Sequence, residues 1–223
     1  MKRIFGVVAL TSAILVSGVG SARAASLTID FDVEFSGGTS PTGAPPWLRA
    51  VFADNGLDTV RLTLSAIGLN ASEYIGAWYF NLDPAMNAAL LAIAGTPDND
   101  PQWTAISRGN NAFQADGGGA YDLWIDFAQG PPVDRFGAGE IAVIDFTMAG
   151  LDALDFAFIA AAGGGNPPYM GAAHVQSIGA QGGSGWLGGS RADGGVDDTV
   201  PEPALLSLLG LGLAGVAYKR RRA

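Results

Sequence analysis

The chain has no cysteine, a single histidine, His174, and only two lysines in 223 residues. Without thiols there is no disulfide framework, no thiolate metal site and no thiol nucleophile. One histidine excludes a histidine metal cluster and leaves little for a histidine-based triad. Charge is scarce, at 15% of residues, and unbalanced, with 21 acids against 12 basic residues and a net charge of −9. A nucleic-acid partner needs a basic footprint, and this composition offers none. What is abundant is glycine, 33 residues, and apolar side chains, 48% of the chain, too many for a disordered polymer.

The basic residues lie at the ends. Lys2, Arg3 and Arg23 open the chain, and Lys219, Arg220, Arg221 and Arg222 close it. Between Ser26 and Val200 five arginines face twenty acids, a net charge of −15, and no lysine occurs. An acidic middle is therefore flanked by apolar segments with basic edges, and those ends are read before any folding argument.

At the amino terminus, Lys2 and Arg3 precede an apolar run from Ile4 to Val19, and Ala22-Arg23-Ala24 follows. A positive start, a short apolar stretch and small residues at the cut predict a secretory signal peptide over residues 1–24. Ala22 and Ala24 fit the signal peptidase pocket, with cleavage after Ala24.

At the carboxy terminus, Val200-Pro201-Glu202-Pro203 precedes an uncharged Leu/Gly-rich segment, residues 204–218, and then the basic cluster 219–222. As a helix, fifteen residues span about 22 Å, short of a bilayer core of ~30 Å. Tyr218 at the interface and snorkelling of Lys219 would close the gap. The sequence thus predicts a membrane helix with Lys219, Arg220, Arg221 and Arg222 as a cytoplasmic anchor and the acidic domain outside. The two prolines around Glu202 keep the backbone extended and stop the helix from starting earlier.

Residues 197–223 closely resemble the PEP-CTERM sorting signal of Gram-negative, exopolysaccharide-producing bacteria, with the Pro-Glu-Pro motif, membrane helix and Arg-rich end in order. Tails of this kind are also grouped under the carboxy termini of ice-binding proteins, a name that describes the tail alone. The resemblance implies recognition by an exosortase, an integral-membrane cysteine transpeptidase, and removal of the tail near the motif. Pro201, Glu202 and Pro203 are then recognition residues of a substrate and not catalytic groups. The middle of the chain is similar, diffusely, to the β-rich, lysine-poor domains found ahead of such tails.

Residues 25–196 carry mostly period-two patterns. Leu27, Ile29, Phe31, Val33 and Phe35 alternate with Thr28, Asp30, Asp32 and Glu34. Val60 to Leu64, Leu123 to Phe127 and Ile144 to Met148 repeat the pattern, which antiparallel strands with one wet face produce. Further strands are expected at Trp47–Ala53, Tyr74–Leu82, Asp155–Ile159 and Ala173–Ile178, with the Gly/Pro clusters, Gly182-Gly183 included, as turns. The expected fold is an all-β antiparallel sandwich, jelly-roll-like. One helix is expected from Pro84 to Ala94, where Asp83-Pro84 precedes a Met86, Leu90, Ile93 stripe.

Candidate chemistry is sparse. Asp30, Asp32 and Glu34 recur along one strand face at about 6.5–7 Å, a spacing glycosidase carboxylates also use, but alternation alone demands polar residues there. No cofactor is required; a Ca²⁺ ion at Asp98-Asn99-Asp100 or at Asp193, Asp197 and Asp198 is the one the residues leave open, although an EF-hand pattern is absent. Gly182 to Trp186 falls short of the Gly-x-Ser-x-Gly elbow because Trp186 occupies the last glycine's place. Trp47, Trp78, Trp103, Trp124 and Trp186, with Tyr74, Tyr79, Tyr121 and Tyr169, could build a sugar-stacking platform. Trp124 stands on the polar face of its strand between Asp122 and Asp126, and these three residues form the candidate glycan-facing surface. The sequence therefore predicts an exported, non-enzymatic surface protein with a structural or adhesive role in an exopolysaccharide or biofilm matrix. A non-catalytic carbohydrate-binding module and a glycan hydrolase are the competing readings.

Overall fold

The computed structural model describes residues 24–94, 101 and 103–192. Ala22, the Pro201-Glu202-Pro203 motif, the 204–218 segment, the basic end and the acidic loops at Asp98 and Asp197 lie outside the described residues. Among the described residues no helix is long and apolar enough to cross a membrane.

The strands in chain order are β1 (Ser26–Glu34), β2 (Leu48–Asp54), β3 (Thr59–Ser65), β4 (Tyr74–Phe80), β5 (Ala92–Ala94), β6 (Trp103–Gln114), β7 (Ala120–Phe127), β8 (Phe136–Gly137), β9 (Ile141–Thr147), β10 (Gly171–Ile178) and β11 (Gly183–Arg191). Every pairing between them is antiparallel. The ladder is one continuous sheet in the order β5-β9-β3-β2-β1-β11-β10-β4-β7-β6, with β8 attached to β4. The alternating sequence thus yields the antiparallel strands it suggests, but hydrogen bonding joins them into a single sheet.

That sheet is strongly curled. Phe52 of β2 and Phe80 of β4 are four strands apart in the ladder, about 19 Å in a flat sheet. Their rings meet edge to face with centroids 5.1 Å apart. Phe31 of β1 likewise meets Trp78 of β4 at 5.1 Å. The apolar faces of the two halves therefore fold onto each other and enclose one core, in which Leu27, Ile29, Phe31, Phe52, Trp78 and Phe80 are fully buried.

Glycine makes the curl sterically feasible. Phe31 lies opposite Gly189 in the β1–β11 register. A Cβ on Gly189 would sit 2.7 Å from Ile29 Cγ2 and 2.8 Å from the Phe31 ring, and one on Gly171 would meet the same ring at 3.0 Å. Backbone where a side chain would stand gives Phe31 its seat. This is why glycine-rich Gly183–Arg191, whose first residues, up to Trp186, read from sequence as a turn, is a central strand.

The two free edges of the ladder approach each other. The Asn110 side chain of β6 accepts from Ala88 N at 2.7 Å and donates to Met86 O at 3.1 Å. Arg108, also on β6, donates to Leu91 O. The expected helix from Pro84 to Ala94 does not form; a single 3-10 turn, Ala88–Leu90, capped by Asn87, leads into β5. Two effects outweigh the helical stripe: Asn110 captures polar groups of the turn, and β9 offers an edge on which Ile93 pairs with Phe146. The expected strand Asp155–Ile159 is likewise replaced by a 3-10 turn, Ala153–Phe156, closed by a capping box between Asp152 and Asp155. There Phe156 stacks on Phe52 at 4.2 Å, so this segment plugs the core instead of extending the sheet.

Polar groups fix the register. Asp30 and Arg49 are direct cross-strand partners joined by two bonds of 2.6 and 2.8 Å, and Arg61 and Asp145 repeat the arrangement at 2.8 and 2.7 Å. Buried Glu73 accepts from the amides of Thr42 and Asn70, both at 2.8 Å, and from the Thr42 hydroxyl at 2.7 Å. It ties the loop after β1 to the start of β4.

Candidate functional site

Trp124 lies on the outer face of the sheet, as alternation predicts, and neighbouring strands bring further rings beside it. Cross-strand register places Tyr79 opposite Trp124, Ala172 opposite Tyr79, and Gly188 opposite Ala172. The adjacent row runs from Asp126 through Ala77 and His174 to Trp186. Small residues at 77 and 172 leave the large ones room to lie down.

The rings are ordered. Tyr79 and Trp124 are nearly parallel, 6° apart with centroids at 6.3 Å, and His174 lies flat on Trp186, 13° apart at 4.5 Å. Tyr79 touches Trp186 at 5.6 Å, joining the two stacks, and Phe113 flanks Trp124 at 6.1 Å. Phe35 and Tyr169 stack at 5.3 Å, with the Tyr169 ring packed where a Gly188 side chain would stand. Trp124, Trp186, His174 and Phe113 remain partly exposed, whereas Tyr79 is buried beneath them. The outer face thus carries a second apolar cluster, distinct from the core.

Its electrostatics follow from that packing. Burial, then the nearby Asp126 charge, pushes the Tyr79 hydroxyl up to about 12, so it stays a neutral phenol at physiological pH. Burial lowers His174, with Asp116 pulling weakly the other way, so the ring on Trp186 is neutral at pH 7. Asp126 accepts from the Thr104 hydroxyl at 2.8 Å at the margin of the platform. The Trp124 indole N–H is buried and finds no acceptor among the described residues.

Asp122 is placed differently from its two candidate companions. It is buried, and its carboxylate accepts from Leu82 N at 2.8 Å and Asn111 N at 2.6 Å. It joins Asn81, Asp83, Asn110, Asn111 and Ile159 in lining a cleft of about 270 Å³. Trp124 stands two residues along the same strand, about 7 Å away, so the aromatic row leads toward this polar hollow.

The carboxylate strand is occupied with structural work. Asp30 is paired with Arg49, and a register shift between Phe31 and Val33 breaks the row. Past that shift Val33 turns outward, 41% exposed, and Phe35 joins the outer cluster instead of the core. Glu34 accepts from the amides of Ser36 at 2.9 Å, Gly37 at 3.1 Å and Gly38 at 3.2 Å, and from Trp186 N at 3.3 Å. Burial opposes its charge, yet the Ser36 hydroxyl and the amides of Ser36, Gly38 and Trp186 hold it below the usual carboxylate range. It shapes a turn beside Trp186. Among the described residues no group of three or more His, Asp or Glu side chains is arranged to hold a metal ion.

Sequence reasoning set Trp124 on this outer face and counted Tyr79, Tyr169 and Trp186 among the aromatics that could stack on sugars. It did not bring them together or set His174, Phe35 and Phe113 beside them. Trp186 alternates with core Leu187, and His174 with core Ala173 and Val175, so the wet-face signal was present on each strand separately. Their meeting depends on the pairing of strands distant in the chain.

No curated protein and no solved structure matches the chain. A family model, that of the PEP-CTERM protein-sorting motif, matches residues 199–222. The chain therefore carries a PEP-CTERM sorting motif at its carboxy end, the mark of an exported protein processed by an exosortase at the membrane and sorted to the cell surface.

Proposed function

We propose that the domain ahead of this motif is a non-catalytic adhesive protein of the extracellular matrix that holds polysaccharide on its outer aromatic face. The observation that carries this reading is the pair of parallel stacks, Tyr79 on Trp124 and His174 on Trp186, laid across four neighbouring strands. Flat, partly exposed rings with neutral partners suit the apolar faces of pyranose sugars, and the amides of Asn110 and Asn111 in the adjoining cleft suit their hydroxyls. Asp126 borders the rings as an acceptor. Asp122, engaged with two backbone amides, supports the cleft wall.

Export completes the reading. A signal peptidase cuts after Ala24, the 204–218 segment holds the protein in the membrane with Lys219 to Arg222 inside, and an exosortase recognises Pro201, Glu202 and Pro203. The acidic domain then reaches the surface of a Gram-negative cell, its net charge keeping it soluble.

Affinity electrophoresis of the exported protein through gels containing exopolysaccharide tests the binding claim. Wild type is expected to be retarded, and Trp124→Ala and Trp186→Ala to weaken binding by at least about tenfold, the equivalent of ~1.4 kcal/mol. Unretarded wild type, or retardation unchanged in both variants, overturns it. Turnover of the glycan that is lost in Glu34→Gln would instead favour a hydrolase.

A further inference from the structure

We infer that Asp54 is the receptor for the α-ammonium group created when the leader is removed, so that processing itself locks β1 into the sheet. This rests on the reading that signal peptidase cuts between Ala24 and Ala25. Hydrolysis breaks that C–N bond; water supplies the hydroxyl to the Ala24 carbonyl carbon and a proton to the Ala25 nitrogen, and the new Ala24 carboxylic acid gives up a second proton that makes the amine an ammonium. The nitrogen so released is already placed. Ala25 N stands 2.7 Å from Asp54 Oδ2.

The geometry departs from an ordinary strand end. Ala25 lies opposite Asp54, one step beyond the Ser26–Ala53 pair, and Asp54 N donates to Ala25 O at 3.0 Å. A regular antiparallel pair would return the bond from Ala25 N to the Asp54 backbone carbonyl. Here the side-chain carboxylate takes that place. The other oxygen, Oδ1, accepts from Ala153 N at 2.8 Å, which fixes the carboxylate against the turn that plugs the core. Ala25 packs against the core, whereas Ala24 is exposed. The last residue of the leader thus lies outside and the first residue of the product inside.

Cleavage changes what this contact is. Before it, a neutral amide donates one hydrogen; after it, a full positive charge faces a carboxylate at the same nitrogen. The surroundings favour that charge. Asp155 is raised above its ordinary value by burial and by the nearby charges of Asp152, Asp83 and Asp54, so the site carries excess negative charge that an ammonium relieves.

The near absence of lysine supplies the test. Once the leader is gone, the α-amine and Lys219 in the tail are the only primary amines in the chain. The exported protein is first sequenced from its amino terminus, then treated with an N-hydroxysuccinimide acetate ester at neutral pH. Acylation of the Ala25 peptide is followed by mass spectrometry in wild type and in Asp54→Asn. The expected sequence begins Ala25-Ser26-Leu27. Acylation is expected to be about tenfold slower in wild type than in the variant, since one unit of pKa change alters the reactive free base tenfold. Acylated wild type should melt about 2–4 °C lower than the unmodified protein, with little further loss in the acylated variant. A start at Ala25 with equal acylation rates overturns the ion pair and leaves the cleavage reading standing. A start at any other residue overturns the cleavage reading and the inference with it.

Discussion

Substituting Gly189 by valine is expected to destabilise the domain by about 3 kcal/mol or more. The added Cβ alone would stand 2.7 Å from Ile29 Cγ2 and 2.8 Å from the Phe31 ring, and both side chains are fully buried. Neither can retreat: Phe31 is braced by Trp78 at 5.1 Å and Phe80 at 6.3 Å. Overpacking a core by a methylene or two typically costs about 1–3 kcal/mol, and a β-branched residue against a braced ring lies at or beyond that limit. Domains of this size are stable by about 5–15 kcal/mol, so the loss is a large share of the total. Gly165→Ala is the control, because a Cβ there meets nothing within 4 Å. Thermal unfolding of both proteins checks the expectation. A Gly189→Val protein melting within a degree or two of wild type would remove the seat argument.

Phe52→Ala tests closure of the sheet from the other side. Phe52 bridges Phe80 of β4 and Phe156 of the 3-10 turn, at 5.1 and 4.2 Å, and is fully buried. Truncating a buried phenylalanine costs about 3–5 kcal/mol through lost burial and the cavity left behind. For a domain of this length that corresponds to a fall in Tm of roughly 10 °C. The register pairs Asp30–Arg49 and Arg61–Asp145 lie on the outer face and should survive the change, so the variant is expected to keep its β-sheet circular dichroism while melting early. A loss of only a degree or two would mean that the two halves are held by the ladder and not by the core.

Most strands were legible because each needs only its own residues to declare a face. Leu27, Ile29 and Phe31 are buried together, as are Val60, Leu62 and Leu64, and Ile144 with Phe146. β11 was hidden by its glycines. The usual reading of Gly as a turn former rests on backbone freedom, whereas Gly188 and Gly189 are there because Tyr169 and Phe31 occupy the space their side chains would fill. That requirement arises only after residues far apart in the chain have met. The 84–94 segment failed for a related reason: Asn110 and the β9 edge compete with a helix that has few intrinsic hydrogen bonds to offer. Of the platform, the sequence offered candidate rings but placed only Trp124. Trp124 declared itself by standing on a polar face, but its alignment with Tyr79 and the meeting of His174 with Trp186 are consequences of register.

The account depends most on the tail that the PEP-CTERM family model matches at residues 199–222. The most direct measurement is the intact mass of the protein recovered from cells with and without an exosortase. With the enzyme, the chain is expected to end near Pro201-Glu202-Pro203 and to be found at the surface; without it, Lys219 to Arg222 should remain and the protein should stay with the inner membrane. An uncut carboxy terminus in both backgrounds would contradict the account.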